Sequence, residues 1–249
     1  MSNILVLGGT TEASALAAAL AARGDEATLS YAGRVAAPKA QPIPVRVGGF
    51  GGIEGLVEYV TGHGVTHLVD ATHPFAARMS ANAIAAAECA GVAQIALTRP
   101  AWTPVPGDQW TRVANIEAAV AALAGPARHV MLALGRMHVD AFAEQPQHDY
   151  LLRFVDAPDQ PPRLPRHHLV VDRGPFDVEG DRRLMDAHAI EILVCKNAGG
   201  TGASAKLTAA RALGLPVIMI DRPALPARRE VHAVADVLRW LDHGADRGV

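Results

Sequence analysis

A chain of 249 residues, half of them apolar, with a net charge of −2, has room for one large domain or two of roughly 120 residues each, and exerts no general attraction on nucleic acid or an anionic membrane surface. Its apolar runs are short, or Ala-rich and broken by Gly and Arg, so none supplies the roughly 20 lipid-compatible residues of a spanning helix. Only two cysteines occur, Cys89 and Cys195, which gives neither a disulfide framework nor a zinc spacing, and "MSNILVLGG" runs straight into a core strand with no leader pattern, so a cytoplasmic protein is expected.

In chain order the pattern predicts strand "NILVLGG", an Ala-rich helix over 11–22, strands "EATLSYAG" and "IPVRVGG", helix "IEGLVEYVTGHG" and strand "THLVDATHP". Helix "AARMSANAIAAAECAG" and strand "QIALTRP" follow. Short apolar runs alternating with helical patterns indicate parallel βαβ units with both sheet faces covered. After helix "NIEAAVAALAGPA" the series restarts. It gives strand "HVMLALG", a short helix over 139–144, strands "YLLRFVD" and "HLVVDRG", helix "VEGDRRLMDAHA", strand "IEILVCKNAGG", helix "SAKLTAARALG", strand "PVIMIDRP" and helix "VADVLRWL". "IALTRPA" and "IMIDRPA" place Arg99 and Arg222 at equivalent points. The fold class expected is α/β, two Rossmann-like parallel-sheet domains with a cleft between them, spanning 1–125 and 126–249 with the Gly125-Pro126 turn as the boundary. A terminal element crossing between the halves is compatible with the same pattern.

Ligands of such sheets bind beyond the carboxyl ends of the strands, and that rule ranks the motifs. "GGTTEA" meets the dinucleotide fingerprint only in part, with Gly8 first and Ala13 last but Thr10 in the middle. A plain tight turn fits it too, yet amides at a helix N-terminus favour a pyrophosphate. About 20 residues on, where an NAD site carries an acid, the chain reads "LSYAGR"; Ser30 and Arg34 in place of an acid suit a 2′-phosphate, hence NADP, unless Arg34 is merely a loop charge. At the mouth of the fourth strand stand Asp70, Thr72, His73 and Pro74. There His73 serves either as a group titrating near neutrality or as a shaper of the loop. "CKNAGGTGASAK" resembles a P-loop but Lys206 lacks the following Ser or Thr, so ATP hydrolysis is disfavoured. What remains is a Gly-rich turn between Lys196 and Lys206 that suits carboxylates or phosphates.

Twenty of the 23 basic residues are Arg, the better bidentate partner for such anions. Arg99, Arg136, Arg153, Arg173 and Arg222 all fall near strand ends, which suggests a polyanionic ligand. Trp102, Trp110 and Phe176 are expected in nearby loops, where they could stack on a conjugated one, although core packing is the default for each. The eleven histidines show no ligand spacing, and no metal is expected.

Taken together, "ILVLGGTTEA", "SYAGR", "VGGFGG", "DATHPFA" with "MSANA", "LTRPAW" and "CKNAGGTGASAKLTAARALGLPVIMIDRP" resemble the precorrin-6A reductase family of cobalamin biosynthesis, in order and over nearly the whole chain. The resemblance implies NADPH-dependent hydride transfer to a contracted tetrapyrrole bearing acetate and propionate arms. It places Gly9, Thr10, Thr11 and Glu12 near the pyrophosphate and ribose, Ser30 and Arg34 near the 2′-phosphate, and His73 and Pro74 on the nicotinamide side, with Gly8, Asp70 and Thr72 also expected to bind the cofactor. Lys196, Asn197, Gly199, Gly200, Thr201, Gly202 and Lys206, with Arg99 and Arg136, would grip the carboxylates. If a general acid is required, His73 is the candidate, with solvent or the substrate's own conjugation as rival proton sources. Two other readings of the residues stand beside this one: an NADP-linked reductase of a smaller substrate, and a non-catalytic NADP-binding sensor.

Overall fold

The computed structural model describes residues 2–33, 40–172, 174 and 176–245. Two compact units emerge: residues 1–99 with 224–249, and residues 100–223. In the first, a six-stranded sheet is ordered β12-β5-β4-β1-β2-β3, from β1 (Asn3–Leu7), β2 (Glu26–Tyr31), β3 (Val45–Val47), β4 (His67–Asp70), β5 (Ala93–Leu97) and β12 (Glu230–Val231). In the second the order is β6-β11-β10-β7-β8-β9, from β6 (Gln109–Val113), β7 (His129–Ala133), β8 (Asp149–Phe154), β9 (His167–Val171), β10 (Ile192–Lys196) and β11 (Pro216–Ile220). Every strand pair is parallel, so each unit is Rossmann-like, with one order repeated.

The expected division at Gly125-Pro126 is not the one the chain makes. β6 and the helix Ile116–Ala121 belong to the second unit, while β12 and the helix Val234–Ala245 belong to the first. Each sheet thus takes its outermost strand from the stretch that the repeat, read in order, assigns to the other. The registers are Ile218↔Thr111 for β11 with β6 and Leu97↔Val231 for β5 with β12. A turn signal reports where the chain bends and carries no information about which sheet edge the next strand joins.

Local chemistry explains the elements that position the loops. Helix α1 (Thr11–Arg23) starts where the Thr10 hydroxyl accepts from the Ala13 amide at 3.1 Å. It stops at Gly24, in the left-handed region, whose neighbour Asp25 donates back to the Leu20 carbonyl, a Schellman ending. Ile4, Val6, Leu16, Leu20 and Leu29 are buried on one face of the first sheet and Leu5, Leu56 and Leu68 on the other, as a doubly covered parallel sheet requires. The short helix expected over 139–144 is a 3₁₀ segment, Arg136–Glu144.

Cys195 is buried in β10 and Cys89 is exposed. Burial pushes the Cys195 thiol up to about 11, so at pH 8 it is neither reachable nor ionised, and thiolate is the reactive form. Native protein is expected to release one equivalent of thiol-reactive dye promptly and a second only in denaturant. Two rapid equivalents would contradict this packing.

Candidate functional site

In the first unit the turn after β1 is built for close backbone approach. Gly8 donates to the Ser30 carbonyl at 2.9 Å, and a Cβ at Gly8 would lie 2.6 Å from Leu29 Cδ1. Gly9 has φ +122°, a region open to glycine. The Thr10 hydroxyl donates to the Ala71 carbonyl at 2.8 Å, so this turn is tied to the one after β4. Among the described residues the amides of Gly9, Thr10 and Thr11 make no hydrogen bond, which leaves donors at the positive end of α1. A cavity of about 480 Å³ in this unit lies instead among Asn3, Glu26 and His63, at the amino ends of the strands, where no helix N-terminus points.

Arg99 belongs to this turn. Its Nε donates to Glu12 at 2.8 Å and its Nη2 to the Thr11 hydroxyl at 3.2 Å, and the guanidinium helps hold the Glu12 carboxyl below its ordinary range although burial opposes it more than any other single cause. Asp70 is 2% exposed and already saturated. It accepts from the Thr72 amide and hydroxyl, from Ser80 Oγ at 2.6 Å and from Arg228 Nη1 at 2.5 Å. It shapes the β4 turn from inside and has no acceptor capacity left for a ribose. His73 is exposed, and its Nδ1 accepts from the Phe75 amide at 3.2 Å, which puts the neutral ring's hydrogen on Nε2. Pro74 follows in the same turn. Ser30 is buried at the end of β2 and its hydroxyl accepts from Arg46. Arg34, expected beside it, lies outside the described residues.

In the second unit the Gly-rich turn is held by its carbonyls. Trp102 Nε1 donates to Gly200 O at 2.7 Å, Arg222 donates to Asn197 O at 3.0 Å and Ala198 O at 3.1 Å, and Lys206 donates to Ala203 O. Asn197 is buried and clamps the Trp102 backbone, accepting from its amide at 2.8 Å and donating to its carbonyl at 2.9 Å. With the carbonyls engaged, the amides of Gly199, Gly200, Thr201 and Gly202 make no hydrogen bond among the described residues. Gly199 and Gly200, at φ +72° and +74°, set successive N–H groups as an anion nest.

Several expected contacts are therefore internal supports. Lys206 is 6% exposed, sits 4.8 Å over the Trp102 ring, and burial lowers its ammonium; it props the turn from beneath. Arg153 pairs with buried Asp181 and lies 3.8 Å over Phe176, and Trp110 sits in β6 against the core. Hence Arg153, Arg222, Trp102, Trp110 and Phe176 are occupied by neighbours within the unit. Arg136 stays exposed at the end of β7, lining a cavity of about 340 Å³ with Asp140 and Phe154, and Lys196 closes β10 at the root of the turn. Arg173 lies outside the described residues.

Residues that sequence reasoning missed are Arg46 and Arg228. Arg46 is a lone cation in a strand whose signal was its position beside "GGF"; Arg228 lies in an irregular segment, and nothing in the sequence ties it to Asp70. Among the described residues no group of three or more His, Cys, Asp or Glu side chains is placed to hold a metal ion, and no helix is long and apolar enough to cross a membrane.

Two doubly wound parallel units, each with a glycine-rich strand-to-helix turn at the carboxyl ends of its strands, define a Rossmann-like α/β protein. Residues 3–242 match the model of the precorrin-6x reductase CbiJ/CobK family. The chain is 57% identical to precorrin-6A reductase of Rhodobacter capsulatus over the full length of both, and 48% identical to that of Rhodococcus erythropolis over 97% of this chain and 98% of the relative. A solved structure of CobK precorrin-6A reductase superposes with a TM-score of 0.93 at 56% identity, covering 100% of this chain and 98% of that one. The chain belongs to the precorrin-6x reductase family.

Proposed function

We propose that the chain reduces precorrin-6A to precorrin-6B, with the first unit holding NADPH and the second the tetrapyrrole. Full-length identity to precorrin-6A reductases carries the reading. NADPH, when bound, supplies the hydride, and the protein contributes alignment and electrostatics.

In this reading the amides of Gly9, Thr10 and Thr11 meet the pyrophosphate, Glu12 the ribose, and Gly8 permits the close approach. Asp70 and Thr72 fix the turn that presents His73 and Pro74 to the nicotinamide side. His73 is the protein group placed to relay the proton that balances the hydride; it must first be charged to the imidazolium by solvent, because the neutral ring that accepts from the Phe75 amide at Nδ1 has no acidic proton to give. Amides of Gly199–Gly202, with Lys196 and Arg136, receive substrate carboxylates, while Asn197 and Lys206 hold the nest in shape. Arg99 orients Glu12 and Thr11, a support for the cofactor turn in place of the substrate contact expected from sequence.

The test is consumption of NADPH by purified protein. Oxidation that requires a metal-free contracted tetrapyrrole is the expected result. Turnover with small carbonyl compounds alone would favour a reductase of smaller substrates, and NADPH binding without turnover on any tetrapyrrole would favour a sensor.

A further inference from the structure

Arg46 is a cation set in place with nothing negative beside it among the described residues. It stands at the carboxyl end of β3, in register with Ser30 of β2. Its Nη1 donates to Ser30 Oγ at 3.2 Å and to Gly48 O at 2.5 Å, and its Nη2 to Gly49 O at 2.8 Å. The guanidinium plane lies 3.8 Å over the Phe50 ring, with the Tyr59 ring at 5.1 Å. All these partners are neutral, and no carboxylate pairs with Arg46 among the described residues. A half-buried guanidinium held by two carbonyls, a hydroxyl and an aromatic face has its orientation fixed and its charge uncompensated. Of five N–H donors, the Nε hydrogen and one on Nη2 remain, the pair that a side-on bidentate contact to an oxyanion uses.

Position says which oxyanion. Ser30 is the residue whose carbonyl receives the Gly8 amide at 2.9 Å, so Arg46 is one side chain removed from the glycine turn after β1. In a parallel nucleotide-binding sheet the end of the second strand faces the ribose 2′ position, and an arginine there accommodates a 2′-phosphate. No acidic side chain is present at Ser30 or Arg46 to accept a free 2′-hydroxyl.

We infer that Arg46, preset by Ser30, the Gly48 and Gly49 carbonyls and Phe50, is the residue that reads the 2′-phosphate and so makes the cofactor site selective for NADP over NAD; this rests on the assignment of the first unit to the cofactor. The glycines at 48 and 49 bring two carbonyls to the guanidinium without side chains in the way, and Gly48, at φ +128°, takes a conformation that other residues avoid.

Titration calorimetry with adenosine 2′,5′-bisphosphate and with ADP separates the parts of the claim. Full-length wild type is expected to prefer the 2′-phosphorylated ligand by about tenfold or more, the scale of a charge-assisted bidentate contact. Arg46→Met and Arg46→Gln, the latter retaining a donor for the loop carbonyls, are expected to bring that preference to about unity with ADP affinity changed less than about twofold, and Arg46→Lys to restore part of it. Retention of the full preference in Arg46→Met would overturn the role of Arg46 while leaving the cofactor assignment intact. An equal loss of both ligands in the Met and Gln variants would make Arg46 a loop support and also overturn it. Absence of any preference in wild type would remove the NADP reading itself.

Discussion

Gly199→Ala is expected to cost about 2–5 kcal/mol of stability and to impair tetrapyrrole use, because the position is closed both conformationally and sterically. At φ +72° an L-residue pays about 1–2 kcal/mol. A Cβ there would lie 2.1 Å from the Pro100 carbonyl oxygen and 2.4 Å from Arg222 Nη2, and forced overpacking adds about 1–3 kcal/mol. The displaced atoms are those that hold the nest, since Arg222 ties down the carbonyls of Asn197 and Ala198. For a chain of this size the stability loss corresponds to a fall in Tm of roughly 4–20 °C. In the surviving folded protein, kcat/KM for the tetrapyrrole should drop by about tenfold or more while NADPH affinity stays within about twofold. Gly202→Ala is the matched control, with no atom within 4 Å of its Cβ and no positive φ, and should leave Tm unchanged. A silent Gly199→Ala would mean that the turn is neither tightly held nor used.

The contrast between these two glycines shows what sequence can convey. "NAGGTG" announces a turn with φ freedom, but which glycine is indispensable depends on Pro100 and Arg222, residues about a hundred positions back and two dozen ahead. The strands with continuous burial, such as β1, β4 and β10, are legible because a doubly covered parallel strand is a plain apolar run. β6, reading "QWTRV", and β12, a two-residue "EV", are edge strands with polar or minimal sequence and give no such run. They are also the strands that decide unit membership, so the repeat was readable and the partition was not. At the site the same divide recurs. The backbone-donor turns at Gly8–Thr11 and Gly199–Gly202 follow from composition and position, whereas Arg99, Arg153 and Arg222 near strand ends and Lys206 in the helix after the glycine-rich turn each read as a plausible ligand contact. Their partners Glu12, Asp181, Trp102 and Asn197 come from distant stretches, and an isolated sequence does not say whether an arginine is already satisfied.

Asp70 is where that distinction is most sharply testable. The sequence makes it a cofactor contact; the packing makes it the anion of a buried pair, with Asp70 and Arg228 side chains 1% and 7% exposed. Among the described residues Arg228 keeps one other ionic partner, Glu230 at 2.9 Å, whose own side chain is 43% exposed and so stabilises it weakly. Removing one member of such a pair strands the other charge in a low-dielectric site, at about 3–5 kcal/mol. Asp70→Asn is therefore expected to lower Tm by roughly 6–20 °C. The added Arg228→Met change, which removes the stranded cation and keeps an apolar stem, should recover most of the loss, because an apolar replacement of a buried pair is often near neutral. A double-mutant cycle read by denaturant unfolding measures the coupling, which should exceed about 1 kcal/mol. If Asp70 instead contacts the ribose, Asp70→Asn would leave Tm near wild type and weaken NADPH binding, and the Arg228→Met change would restore nothing. The two outcomes are opposite in both readouts because a carboxylate with all its acceptor positions filled from within the protein has none left to offer a ligand.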